Sequence, residues 1–294
     1  MISKSFKVQS EDSGKMVKMI LGSLLLVTNL TFLAYFWNCL QVRVPVLCFH
    51  RILENADPLS LWIGQPRFEE ILNLLEQKGY KTILPGEDPS QDGKSVILTF
   101  DDGSSDHLDT VLPILNSRKM RGVFFWITNL LEKWDPERLQ RLLIDAANHQ
   151  HGSHSMTHYS ILSGIRDADL DRLNKELRDS KLYLEAVFGK SVQSFAFPRG
   201  EVDTGGAHLA SQFYTNLFSV EYGYYLPAFK QKIHGRFLVL KEGKMTELES
   251  YLDESNPFNS LEFPVISLLL VVANLFFWGR KKMTTGHSRL QPPT

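Results

Sequence analysis

The chain has 294 residues, 43% hydrophobic and 22% charged, which leaves no room for extensive disorder and suits one large domain or two small ones. A formal net charge of −1, with no basic stripe carrying interleaved aromatics, sets nucleic acid aside as a partner. The two cysteines, Cys39 in an apolar run and Cys48 in a predicted strand, do not make a disulfide framework.

Residues 1–18 hold Lys4, Lys7, Lys15 and Lys18 and read as a cytoplasmic tail. Residues 19–42 carry no charge and end in bulky aromatics, Tyr35, Phe36 and Trp37 among them. That run is longer than the roughly 20 apolar residues needed to span a bilayer, so it predicts a transmembrane helix. A signal peptide is the competing reading, but its shorter apolar core would lead into a small-x-small cleavage site. A second apolar run, 263–279, precedes Arg280, Lys281 and Lys282 and predicts a second span, with 257–279 as span and approach. A buried core helix is its alternative. The inner flank is acidic, with Glu247, Glu249, Asp253, Glu254 and Glu262. Positive residues stay cytoplasmic, so both tails, 1–18 and 280–294, are expected inside and residues 43–256 outside.

Between the spans, apolar strands alternate with amphipathic helices. Residues 44–49 read as a strand. Phe68, Ile71, Leu72 and Leu75 repeat at helical spacing, with Gly79 placed to end that helix. Residues 96–100 predict a strand, 107–119 a helix and 122–127 a strand. Pro136 opens a helix with Leu139, Leu142, Leu143 and Ala146 on one face. Leu170, Leu173, Leu177, Leu184 and Phe188 mark a long helix that Gly189 closes. Later strands are expected at 193–197, 216–220 and 236–240. This order predicts an α/β fold with parallel strands, as an open sheet or a barrel.

Three clusters carry chemistry. Thr99-Phe100-Asp101-Asp102-Gly103 ends an apolar strand, where parallel folds place their active sites. Two adjacent carboxylates there repel unless a cation or shared proton relieves them, although Asp-Asp-Gly also serves as plain turn chemistry. Gly152-Ser153-His154-Ser155-Met156-Thr157-His158 puts two histidines at i and i+4, a spacing that on one helical turn chelates a metal. With a carboxylate from elsewhere, such a pair suits zinc, and also iron or cobalt. His149 and His151 fall outside that pair. Phe195-Ala196-Phe197-Pro198-Arg199-Gly200 reads as a strand ending in a tight turn able to turn a backbone N–H toward a pocket.

In this order the motifs TFDDG, HSMTH and FAFPRG, with VPVLCFHRI before them, resemble the polysaccharide deacetylases of carbohydrate esterase family four over about residues 44–240. The resemblance implies a distorted (β/α) barrel, here flanked by the two predicted transmembrane helices. It implies a metal at Asp102, His154 and His158, with zinc first and cobalt, iron or nickel as substitutes. It further implies Asp101 as general base, the backbone N–H at Arg199 as oxyanion donor with Pro198 and Gly200 shaping that substrate-binding turn, and His234 as general acid. The sequence departs from the family pattern where an arginine usually precedes the Pro-x-Gly turn, and Arg236 is the expected replacement. An aromatic residue usual after the proline is Arg199 here, and the stretch around His234 matches loosely. His50, in the opening motif, reads as structural. The expected activity is removal of an N-acetyl or other N-acyl group from an amino sugar in a polysaccharide or lipid-linked glycan at a bacterial inner membrane. Deformylation of a lipid-linked amino sugar, and an inactive membrane-bound glycan-binding module, are the alternatives.

Overall fold

The computed structural model describes residues 22–23, 26–29, 42–54, 61–89, 94–228 and 233–255. Residues 42–256 form one compact unit. Outside it, the described residues 22–23 and 26–29 are helical. The two apolar runs that predict membrane spans lie almost wholly outside the described residues. Among those that are described, no helix is long and apolar enough to cross a membrane.

The frame of the unit is a nearly closed, mostly parallel sheet. Its principal strands are β1 (Val44–Phe49), β2 (Ser95–Phe100), β3 (Val123–Trp126), β4 (Gln150–Ser153), β5 (Ser194–Ala196), β6 (Asn216–Phe218), β7 (Tyr224–Tyr225), β8 (Ile233–His234) and β9 (Phe237–Leu238), and the two-residue strand Lys81–Thr82 pairs parallel with β2. Parallel pairing runs β1-β2-β3-β4-β5-β6-β8, while β9 pairs parallel and β7 antiparallel with β1. Buried on both faces, β1, β2 and β3 read as unbroken apolar runs, as parallel strands do. Their side chains nevertheless alternate. Val44, Val46, Ile97, Val123, Phe125, Ala196 and Phe218 pack together as one cluster inside the barrel. Leu47, Phe49, Leu98, Phe100, Phe124 and Trp126 face the opposite way, under the helices.

Helix α1 (Gln65–Gln77) buries Phe68, Ile71, Leu72 and Leu75, the four residues its periodicity selects. The predicted helix 107–119 divides into a π turn (His107–Val111) and α2 (Leu112–Ser117). Pro113 has no N–H to return to Asp109, and the Leu112 N–H instead reaches the His107 carbonyl. Helix α3 (Pro136–Asp145) starts where Asp135 Oδ1 accepts the Arg138 N–H at 2.8 Å. Of its predicted face, Leu142 and Ala146 are buried but Leu143 is exposed. The long helix predicted from Leu170 is interrupted: Leu170–Asn174 passes through a π turn (Lys175–Asp179) into α4 (Ser180–Phe188). Gly189, left-handed at φ +62°, closes it as expected. The last strands are shorter than predicted, and Arg236 precedes β9 instead of opening it.

Helix α5 (Thr204–Ser211) lies between β5 and β6, and α6 (Met245–Glu254) packs under β1. Tyr251 makes that contact: its hydroxyl accepts the Val46 N–H at 2.9 Å and donates to the Gly223 carbonyl at 2.6 Å. The hydroxyl thereby satisfies a strand amide in the barrel wall. Tyr251→Phe is expected to lower unfolding free energy by about 1–3 kcal/mol by orphaning that amide. Denaturant unfolding of the two proteins checks this, and superimposable curves would refute it.

Candidate active site

The carboxyl ends of β2, β4, β5 and β6 converge on one mouth of the barrel, the end at which parallel strands present catalytic residues. Strand alternation decides what points inward there. Continuing Ile97 by twos gives Thr99 and Asp101, and continuing Val46 gives Cys48. Asp101 follows β2, with its N–H donating to the Phe49 carbonyl at 2.9 Å, and it is 1% exposed.

A buried carboxyl at this position needs a partner, and Arg236 provides it. Arg236 Nη1 donates to Asp101 Oδ1 at 2.7 Å and Nη2 to Oδ2 at 2.8 Å, a two-pronged pair in the barrel interior. Two of the three remaining guanidinium N–H groups reach the Ser219 carbonyl and Thr99 Oγ1. Burial pushes the Asp101 pKa up, but the guanidinium outweighs it and holds the carboxyl well below the usual range. Asp101 is thus kept as a hydrogen-bond acceptor.

Asp102, next in sequence, turns the other way. Its backbone is left-handed at φ +74°, and its side chain is 31% exposed at the mouth. Asp102 Oδ1 lies 3.5 Å from His154 Nε2 and 3.7 Å from His158 Nε2. The ligand atoms of these three residues all lie within 4.8 Å of one another. Donors about 2.0–2.2 Å from a tetrahedral ion lie roughly 3.3–3.6 Å apart, so the group fits a divalent metal with little adjustment. His154 follows β4 and donates from Nδ1 to the Ala196 carbonyl at 2.9 Å, which leaves its Nε2 lone pair toward the group. Burial pushes the His154 pKa down against the pull of Asp101 and Asp102, favouring the neutral ring that a metal requires.

The expected pairing of His154 and His158 holds, but not on a helical turn. Residues 154–160 form a loop in which Ser155 and His158 are left-handed, at φ +64° and +63°. The chain folds back on itself, bringing the imidazole centroids to 4.9 Å. His149 and His151 stay outside the group. His149 accepts the Gly122 N–H and bonds Asn116, while His151 accepts the Trp126 indole N–H and stacks on Phe188.

A second set of metal-ligating types, Cys48, His50 and Asp101, lies beside the first. Its chemistry fits an ion poorly. Both Asp101 oxygens are engaged by Arg236, and burial pushes the Cys48 thiol well up, so the set offers no thiolate. The Cys48 S–H instead points to Asp101 Oδ2 at 3.6 Å.

The Pro198–Gly200 turn follows β5 by one residue. Arg199 is exposed and left-handed at φ +61°, and a Cβ added at Gly200 would stand 2.1 Å from Val220 Cγ2. His234 is buried in β8 against the rings of Tyr225 and Phe218, and its Nδ1 accepts the Leu226 N–H at 3.4 Å. It does not belong to either metal-capable group. Sequence reading passed over Cys48 and Thr99, which strand alternation places inward. It also missed Glu176, an acidic residue between Leu173 and Leu177 on a buried helix face.

Residues 88–215 match the family model described as polysaccharide deacetylase. That segment is similar to a polysaccharide deacetylase domain. Asp101, Asp102, His154, His158 and the Pro198–Gly200 turn fall within the matched residues, whereas His234 and Arg236 lie beyond them. YxkH of Bacillus subtilis (strain 168), named as a polysaccharide deacetylase, is 26% identical over 172 residues, 54% of this chain. The match takes in 57% of YxkH, so the chain spans little more than half the length of that curated relative. A polysaccharide deacetylase from Bacillus cereus shares the fold with TM-score 0.61 at 20% identity, over 72% of this chain and 69% of that one. The Streptococcus pyogenes deacetylase PplD, solved with acetate, gives 0.63 at 21% identity, over 72% and 99%.

The buried Asp101–Arg236 pair in the barrel makes a pH-dependent prediction. Arg236→Ala leaves Asp101 buried without a partner and is expected to cost about 3–5 kcal/mol at neutral pH. Because the pair holds the Asp101 pKa down, its stabilisation is complete above the ordinary aspartate value of about 3.9 and is lost as pH falls below it. Denaturant midpoints of metal-free wild type and variant should therefore converge from about pH 4 downward. A gap that stays constant would contradict the ionised pair.

Proposed function

We propose that the domain hydrolyses the N-acetyl amide of an amino sugar in a polysaccharide or lipid-linked glycan, using a divalent metal at Asp102, His154 and His158. The observation that carries this reading is the division of labour between adjacent aspartates: Asp102 shares a compact group with two imidazoles, while Asp101 is committed to Arg236. When bound, a divalent metal supplies Lewis acidity toward an amide carbonyl and acidifies water; zinc is our first assignment, with cobalt, iron or nickel suited to the same donors.

The residues of the chain supply the rest. Asp101, held in acceptor form by Arg236, takes the proton of the attacking water on a carboxylate oxygen. We assign the Arg199 backbone N–H, in its left-handed turn, to the developing oxyanion. His234 protonates the departing amine.

We further place the domain at the outer face of a bacterial inner membrane. Support comes from the uncharged run 19–42, the apolar run 263–279, and the basic residues beyond each. A domain tethered so close to the bilayer suits a lipid-linked sugar or a nascent polysaccharide as substrate.

The test is release of acid and amine from a panel of N-acetylated polymers and lipid-linked N-acetyl and N-formyl sugars. Acetate release is expected, stopped by a chelator and restored by zinc or cobalt. Asp101→Asn should lower kcat by about 10²–10⁴-fold while the bound metal is retained. Formate as the sole product would move the activity to deformylation. Turnover indifferent to both chelator and Asp101→Asn would overturn the reading.

A further inference from the structure

The loop carrying His154 and His158 is held from beneath by a residue that the proposed chemistry does not use. Glu176 is 1% exposed. Its Oε2 accepts the backbone N–H of Met156 at 2.9 Å and of Thr157 at 2.8 Å, and its Oε1 accepts the Thr157 hydroxyl at 2.5 Å. These are the two residues immediately before His158. The loop needs such a hold, because Ser155 and His158 carry left-handed backbone that non-glycine residues adopt only when their surroundings enforce it.

Glu176 is itself fixed. It sits in the π turn Lys175–Asp179, an arrangement often found at functional sites, with Leu173 and Leu177 buried on either side. Ser180 Oγ donates to the Glu176 carbonyl at 2.6 Å and bonds Ser153 Oγ at 2.8 Å, which accepts the Ser155 N–H at 3.1 Å. The hydroxyls thus clamp the start of the loop and the carboxylate clamps its middle.

The two histidines depend on this support unequally. His154 has anchors of its own: its N–H donates to the Trp126 carbonyl at 2.9 Å and its ring to the Ala196 carbonyl. His158 has neither, and its side chain is 35% exposed.

We propose that Glu176 is a positioning residue for the metal: by tying down Met156 and Thr157 it sets His158 Nε2 beside Asp102 and His154. The inference rests on the metal reading above. Outer-shell partners of this kind change metal affinity by about 10–100-fold when removed, and that range is expected for Glu176→Ala. Glu176→Gln is the rescue. Its amide oxygen accepts both backbone N–H groups and its NH2 donates to the Thr157 hydroxyl, so affinity should stay close to wild type.

The experiment is a cobalt titration of the metal-free full chain and its variants, followed by visible absorption, with melting temperatures measured alongside. Wild type binding tightly, E176A binding about 10–100-fold more weakly with a diminished spectrum, and E176Q restoring both would support the proposal. Should E176A fail to fold, E176D keeps the carboxylate but withdraws it by one methylene, and weakened cobalt binding is expected there too. Wild-type affinity in folded E176A or E176D, even with a lower melting temperature, overturns the proposal and leaves the metal site standing. A wild-type chain that takes up no cobalt overturns the metal site and the proposal together.

Discussion

A guanidinium and a carboxylate, both buried inside the barrel, hold this domain together at its functional end. Among the described residues the sheet is not hydrogen-bonded all the way round: β8 pairs with β6 on one side, and β9 pairs with β1 on the other. Arg236 lies where the chain crosses from β8 to β9. Its Nε bonds the Ser219 carbonyl beyond β6, while its Nη atoms bond Asp101 and Thr99 at the end of β2. One side chain therefore bridges the seam that backbone pairing leaves open. Burying such a pair is expensive, and the cost is offset only where nearly every donor is satisfied, as it is here. The same bonds draw Asp101 inward and leave Asp102 at the mouth, and the proposed chemistry depends on that separation.

The polar end of the barrel follows from strand alternation. Lower on β1 and β2 the inward positions are Val44, Val46 and Ile97, which pack with Val123 and Phe125 of β3 to fill the barrel with hydrocarbon. At the top of the same strands the inward residues become Cys48, Thr99 and Asp101. The apolar floor excludes water from the lower side and strengthens the electrostatics of the pair above it. The helices pack against the opposite strand faces, so fold stability and site chemistry use different residues of the same strands.

How legible this was in the sequence differs between elements for physical reasons. The six-residue strands β1 and β2 and helix α1 announce themselves, because their burial leaves unbroken or periodic apolar patterns. Strands of two or three residues, such as β7, β8 and β9, carry too little pattern to be placed, and the reading overran them. The π turns were invisible because one extra residue barely disturbs apolar spacing: Leu173, Leu177 and Leu184 still fall on one face. The two histidines four apart lie together, but their spacing matches a helix by coincidence, and left-handed Ser155 and His158 do the folding instead. Arg236 came from resemblance alone, since nothing local marks an arginine whose partner is 135 positions away. Glu176 could have been flagged as a lone acid within an apolar helix face, though its partners are backbone amides that no side-chain pattern reveals.

The strained backbone at the site has a consistent distribution. Asp102, Ser155, His158 and Arg199 are all left-handed non-glycine residues, and each belongs to a loop leaving the carboxyl end of a strand. Such conformations persist only where their surroundings over-determine them. For the histidine loop, those surroundings are the Glu176 carboxylate and the Ser153–Ser180 hydroxyl pair, and both are tied to the helical run that packs against the barrel. His154, buried and bonded at its backbone and its ring, is the fixed member of the metal-capable group. Asp102 and His158, each about one-third exposed, are the members whose geometry is set indirectly. Affinity for an ion at this site is therefore governed as much by what lies behind the loop as by the ligands themselves, which makes the helix face beneath it part of the functional unit.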